Sequence, residues 1–155
     1  MEEKSLMDLI DTAITKEEEA YHFYMDLFEK TEDAGAKDTL NWIADEEKKH
    51  RDFLVAYRSG DYKAENPPKR DAKYYKIAEY QNEPELQADM KIEEIYLMAA
   101  HRELRSHKFY SALADMHIAG SARDMLHKMA TEELKHKEKM EYLYTNTAFP
   151  QTAGG

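Results

Sequence analysis

Glu47-Lys48-Lys49-His50 and Glu133-Leu134-Lys135-His136 repeat one pattern, and their setting decides the fold. Positions i and i+3 of an α-helix share a face, so each stretch presents a carboxylate and an imidazole in the same direction. One Glu-x-x-His is common by chance in a chain this rich in Glu and Lys, so the information lies in what surrounds each copy. Around the first, the helical period reads Ala36, Leu40, Ile43, Glu47, His50, Leu54, Tyr57. Around the second it reads Ala122, Leu126, Met129, Glu133, His136, Met140, Leu143. Steps of three and four mark the seam of a bundle helix, here with a Glu and a His set among apolar side chains. The period also separates neighbours: Glu46 lies about 100° around the helix from Glu47, off the seam.

Two further stripes complete the set. Leu6, Ile10, Ala13, Glu17, Ala20, Tyr24, Leu27 predicts a helix over 5–33, with Ser5 and Asp8 as a capping box. Ile92, Tyr96, Ala99, Glu103, Ser106, Tyr110, Leu113 predicts one over 89–117. The helices around the two Glu-x-x-His motifs are expected over 36–58 and 120–145. Stripes one and three match at an offset of 86 residues (17 to 103), and stripes two and four at the same offset (47 to 133), without insertion. Phe23/Phe109, Leu40/Leu126, Ala44/Ala130 and Glu46/Glu132 keep that spacing too. The chain therefore reads as a duplicated helical hairpin. The short connection at 31–37, with Gly35, makes the helices of the first hairpin antiparallel. Segment 59–90 holds Pro67, Pro68, Pro84 and the tyrosines Tyr62, Tyr74, Tyr75 and Tyr80. It is too long for a turn and suits a crossover along the bundle, with a short helix at 71–80. The fold expected is an all-α antiparallel four-helix bundle over 1–145, with a long crossover between helices two and three and a flexible tail at 146–155.

Composition narrows the function. A length of 155 residues fits one domain, and a net charge of −10 with no basic run makes nucleic acid and anionic membrane poor partners. No apolar run approaches the roughly 18 residues of a membrane span, and the acidic N-terminus does not resemble a secretory signal. A cytoplasmic protein is the expectation. The chain has no Cys, which removes disulfides, thiol nucleophiles and rubredoxin-type or iron–sulfur ligands within it.

The seams contain Glu17, Glu47, His50, Glu103, Glu133 and His136. Four bare carboxylates buried together are prohibitively unfavourable unless they take up protons or bind cations. Two divalent metals neutralise four carboxylates, and the imidazoles add neutral nitrogen ligands. Mixed oxygen and nitrogen donors favour Fe, Mn or Zn over Ca or Mg. One glutamate from each of two helices with Glu-x-x-His from each of the others is a di-metal arrangement of bundle cores.

On these residues the chain resembles the rubrerythrin and ferritin-like superfamily of di-iron carboxylate proteins, most of all its stand-alone members without a rubredoxin domain. The resemblance spans both hairpins, at 5–58 and 89–145. It implies a ferritin-like bundle binding two Fe ions, with Glu47 and Glu133 bridging, Glu17 and Glu103 terminal, and His50 and His136 each capping one metal. It makes Tyr24 and Tyr110 tyrosines beside the metals with a catalytic role. By symmetry, Glu46 is expected to hydrogen-bond His136 and Glu132 to hydrogen-bond His50, since metal-bound imidazoles need such partners. Typical members carry a glutamate at the position of Ser106 and a carboxylate at that of His136; this chain departs at both. The resemblance further implies a homodimer, O2 or H2O2 as oxidant, and a separate electron donor protein.

Three functions fit: a redox enzyme reducing peroxide or O2, an iron-handling ferroxidase or storage protein, and a metal-stabilised bundle without turnover. Small residues at Ala20 and Ser106, one turn after each terminal glutamate, leave room for an oxidant. The other histidines (His22, His101, His107, His117 and His127) are expected at the surface or rim, with His107 able to edge toward the site.

Overall fold

The computed structural model describes residues 5–67, 74–83, 86 and 89–149. Helix α1 (Leu6–Lys30) begins where Ser5 Oγ accepts the Asp8 N–H at 3.1 Å and the Asp8 carboxylate accepts the Ser5 N–H at 3.1 Å. This is the expected capping box. Helix α2 (Ala34–Arg58) is capped by Asp33, which accepts the Ala36 N–H at 2.8 Å. It stops at Ser59 and Gly60, where the glycine takes φ +97°, a conformation other residues rarely adopt. The crossover holds a single 3-10 turn at Lys63–Glu65, the short helix α3 (Tyr74–Ala78) and a second 3-10 turn at Glu79–Gln81. Helices α4 (Ile92–Asp115) and α5 (Ser121–Ala148) form the second hairpin. There is no strand among the described residues.

Helix α1 lies along α2, and α4 along α5. Every seam residue of α2 and α5 named above is buried. The apolar core is divided into two clusters. One contains Ile10, Leu54, Tyr57, Leu113, Leu126 and Met129; the other contains Tyr24, Leu27, Leu40, Ile43, Met140 and Leu143. Along α2 and α5 the residues between those clusters are Glu47 with His50 and Glu133 with His136. The polar band thus sits mid-bundle, closed off at both ends by close-packed hydrocarbon.

The crossover packs as the tyrosine content suggested: Tyr62 and Tyr74 lie against the first cluster. It also caps α5. Gly120 has no side chain to offer, and Glu65 supplies the carboxylate, accepting the Ala122 N–H at 2.6 Å and the Ser121 hydroxyl at 2.9 Å. A Cβ at position 120 would come within 2.9 Å of Glu65 Cδ. The bond from the Ala122 amide, with that from Ser121, holds the Glu65 carboxyl below its ordinary range.

Two expectations change. Helix α5 runs to Ala148, so the first residues assigned to a flexible tail are helical. No breaker occurs before Pro150, and the residue preceding a proline disfavours helix; Phe149 leaves the helical range at φ −131° and ψ 67°. Residues 150–155 lie outside the described residues, as do 71–73 of the predicted crossover helix. His117, expected at the surface, is 3% exposed. Its Nδ1–H donates to the Leu113 carbonyl at 2.8 Å, and its Nε2 accepts the Tyr57 hydroxyl at 2.7 Å. It lies four residues after Leu113 and extends that seam beyond the helix end, where the periodic reading stopped.

Glu65→Ala is expected to lower the Tm and to speed amide exchange at Ala122. The same change at exposed Glu79, elsewhere on the crossover, should do neither. Calorimetry and hydrogen exchange measure both.

Candidate metal centre

The six polar seam residues meet in the middle of the bundle. Glu17, Glu47, His50, Glu103, Glu133 and His136 are each at most 3% exposed. Glu47, Glu103, Glu133 and His136 each offer a donor atom, all within 4.8 Å of one another, and Glu17, Glu47 and His50 do the same. The two groups share Glu47.

Distances to the imidazoles sort the carboxylates. Glu47 Oε1 lies 3.6 Å from His50 Nδ1 and 3.1 Å from His136 Nδ1. Glu133 Oε1 lies 3.2 and 3.3 Å from the same two nitrogens. Glu17 approaches only His50, at 3.7 Å, and Glu103 only His136, at 3.5 Å. Two carboxylates therefore stand between the imidazoles and two stand outside them, one on each side.

The orientation of each side chain has a physical cause. Glu46 Oε1 is 2.8 Å from His136 Nε2, and Glu132 Oε2 is 3.4 Å from His50 Nε2. Each pair crosses from one hairpin to the other. With Nε2–H donating outward, each Nδ1 faces the cluster. Tyr24 donates to Glu103 Oε1 and Tyr110 to Glu17 Oε1, both at 2.6 Å. These bonds also cross between hairpins. Sequence symmetry had placed each tyrosine on the seam of its own helix's glutamate; the structure gives it to the glutamate of the other repeat.

The donor set fits metal ions. Glu17 Oε2, Glu47 Oε1, His50 Nδ1, Glu103 Oε2, both Glu133 oxygens and His136 Nδ1 are buried without a hydrogen-bond partner. Each of the six residues contributes at least one such atom, and unmet atoms in a buried band are costly unless something answers them. In the protein alone, protons take that place. Burial and the neighbouring carboxylates raise Glu17 and Glu47, and burial with Glu133 beside it brings Glu103 to about 7. Burial also opposes the charged form of Glu133, but His136 and His50 outweigh it and hold that carboxyl well below its usual range. Burial lowers both imidazoles, and the facing carboxylates more than reverse this.

A cavity opens onto Glu17 and Glu103 between α1 and α4. Ala20, Ser106, Tyr24 and Tyr110 line it, and Tyr80 and Gln81 of the crossover cover it. About 40 Å³ is open to the centre of a water molecule, against the ~10–15 Å³ that one water needs. That admits a molecule the size of O2 or H2O2. The crossover is fastened there: Gln81 donates to the Leu9 carbonyl at 3.1 Å, and Glu83 lies 3.5 Å from both Lys16 and Arg102. His107 does not join the cluster; its Nδ1 donates to the Ala130 carbonyl at 2.7 Å. Trp42, unremarked in the sequence, meets the His136 ring edge-on with centroids 5.4 Å apart. Its position one turn before Glu46 was the available signal.

A four-helix bundle whose interior joins two single glutamates to two Glu-x-x-His pairs defines the di-metal carboxylate class. The sequence profile of the rubrerythrin family matches residues 8–144. The chain belongs to the rubrerythrin family. It is similar to a hypothetical protein from Pyrococcus furiosus, with 25% identity, 96% of this chain and 93% of that one covered, and a TM-score of 0.75. It also shares its fold with a Thermotoga maritima protein provisionally described as a ferritin-like diiron-carboxylate protein, with 20% identity, 91% and 95% coverage, and a TM-score of 0.68. No curated protein matches it.

Metal uptake is expected to release protons, because the raised carboxylates and the imidazoles hold them until a cation arrives. Affinity should therefore rise with pH and weaken as pH falls below about 7, where Glu103 keeps its proton. Calorimetric titration of Fe(II) or Zn(II) in buffers of different ionisation enthalpy measures this. Glu46→Ala should weaken metal binding by roughly tenfold or more, and by more than Glu132→Ala, whose contact to histidine is longer.

Proposed function

We propose that this protein is a di-iron redox enzyme that reduces H2O2 or O2. The carrying observation is the juxtaposition of two features: buried donor atoms answered by nothing in the protein, and a cavity of oxidant size ending at Glu17 and Glu103. Family membership favours iron over Mn or Zn. Glu47 and Glu133 would hold both ions, Glu17 with His50 one of them, and Glu103 with His136 the other.

Two iron ions, when bound, supply one electron each, so peroxide receives a pair without passing through a free radical. The reaction balances as H2O2, two protons and two electrons giving two waters. The surrounding residues set the conditions. Burial and the adjacent carboxylates push the phenols of Tyr24 and Tyr110 well above their ordinary range, so each keeps its proton and remains a donor. They restrain Glu103 and Glu17 at the mouth of the cavity. Phe23 and Phe109 add apolar surface to a wall that also carries Lys16, Glu19, Glu83 and Arg102, and the crossover above it limits access. Half-buried Ser106 adds a hydroxyl to the cavity wall for passing protons. These residues hold no cysteine for a rubredoxin-type iron, so the electrons come from a donor outside this bundle. A homodimer belongs to the same reading, by family likeness.

The reduced, iron-loaded protein should consume one H2O2 for every two Fe(II) oxidised and develop a ferric absorption band. Ser106→Phe, which fills the cavity, should slow that reaction severalfold while leaving the metal count per chain unchanged. Stopped-flow absorbance and elemental analysis decide it. Fe(II) that stays reduced under peroxide, or a one-to-one stoichiometry with trapped hydroxyl radical, rejects the enzyme.

A further inference from the structure

The groove between α2 and α5 lies outside the cavity just described. Glu46 and Glu132 line it, engaged with the two histidines from their outer side. Trp42 stands at its edge. This is the chain's single tryptophan, and it is 40% exposed although the residue type is large and apolar. Its indole has one side in solvent and the other edge-on to the His136 ring. A direct aromatic contact thus joins the surface to an imidazole of the cluster. Electron tunnelling weakens steeply with distance through saturated packing, so a ring in contact with both ends is the favoured path inward.

Asp38 and Asp45 flank Trp42 along α2, but the exposed charges lining the groove beside it are basic. Net charge is −10, yet exposed Lys49, Lys128 and Lys135 line the groove, and Lys139 Nζ lies 6.0 Å from the Trp42 ring centroid. None of these four lysines has an ion pair among the described residues, whereas Lys16, Arg58 and Lys137 do. Lys128, Lys135 and Lys139 follow one stripe of α5. The two glutamates of the groove are mostly buried, at 16 and 17% side-chain exposure, and face the imidazoles. What the groove offers a visitor is a row of exposed ammonium groups with an exposed indole at its edge.

We propose that this face docks a small acidic one-electron carrier protein, and that Trp42 is where its electron crosses. The proposal rests on the redox reading of the buried site. The lysines orient the carrier's acidic surface and raise its rate of encounter. Each encounter moves one electron: the carrier is oxidised by one, one ion of the metal pair goes from +3 to +2, and no bond is made or broken. Two encounters restore the reduced pair.

Trp42 gives a single indole N–H resonance in 15N-labelled protein, and zinc loading keeps the site diamagnetic. Titrating in an acidic [2Fe–2S] ferredoxin should perturb that resonance and the amides of Lys49, Lys128 and Lys135. The effect should fade toward 1 M salt, where the screening length is about 3 Å. Lys128→Glu with Lys135→Glu should weaken binding by about tenfold or more. In the iron-loaded protein, Trp42→Ala should slow transfer from reduced ferredoxin by a similar factor, and Trp42→Phe should recover part of it. Perturbations centred on another face, undiminished binding by the double variant, or sedimentation showing Trp42 buried between two copies of this chain overturns the proposal. Dithionite needs no docking; if it cannot reduce the iron-loaded wild type, the redox reading fails, and the resonance shifts still decide docking separately.

Discussion

Repulsion among four buried carboxylates is the constraint on which the rest of this structure depends. Glu47, Glu103 and Glu133 offer donor atoms within 4.8 Å of one another, and Glu17 lies as near to Glu47, inside a core that is otherwise hydrocarbon. Such a cluster cannot exist fully ionised and unanswered. The protein resolves part of the conflict itself by setting two imidazoles among the carboxylates and two phenols against the outer pair. What is left over is directional, a set of donor atoms aimed at common points. The apolar clusters above and below keep water from relaxing the conflict, so neutralisation has to come from protons or cations. This is why the same six residues that would be a defect in a bundle without ligands make sense as a binding site here.

Duplication explains how the site is assembled and why it holds both halves together. Each hairpin carries one outer glutamate, one Glu-x-x-His, one tyrosine and one additional glutamate beside the motif. The four hydrogen bonds that fix these groups all run from one hairpin to the other: Tyr24 to Glu103, Tyr110 to Glu17, Glu46 to His136, and Glu132 to His50. Backbone contacts are dense within each hairpin and sparse between them, so long polar side chains carry much of the specific tie across the bundle. Fold and site are therefore not separable: the polar centre specifies how the hairpins register. The symmetry is imperfect, with the Glu46 contact shorter than that of Glu132 and Ala20 opposite Ser106.

Much of this was legible in the sequence because burial and periodicity are the same fact seen twice. A seam position on a 3.6-residue period becomes a buried position, and the period chose Glu47 over Glu46 and Glu133 over Glu132 before any coordinates. The offset of 86 residues between repeats then paired the helices. What stayed hidden lies where periodicity has no purchase. His117 sits just past a helix end, so its burial follows from the turn. Glu65 caps α5 from a crossover that no pattern could place in three dimensions. The crossed partners of Tyr24 and Tyr110 depend on the azimuth of one hairpin against the other, which a helical stripe does not encode.

The two walls of the centre are chemically different, and under the proposed redox function this would give two reactants separate approaches. The α1–α4 wall carries Glu17, Glu103 and the two phenols, and it holds the small cavity under the crossover. The α2–α5 wall carries the imidazoles and their glutamates, and beyond them Trp42 and the groove's exposed lysines. A site that opened on one side only would make oxidant and electron donor compete for the same approach. Here the carboxylate wall is narrow, lined by Phe23 and Phe109 as well as by charged groups, and holds a cavity of about 40 Å³. The imidazole wall is broad, cationic and carries conjugated rings to the surface. Because the glutamates shared between the imidazoles, Glu47 and Glu133, come from the second wall, a change in charge on either side is felt at the same pair of donor groups. Two unlike walls around one electrostatic unit follow from placing Glu-x-x-His on one helix of each hairpin and a lone glutamate on the other.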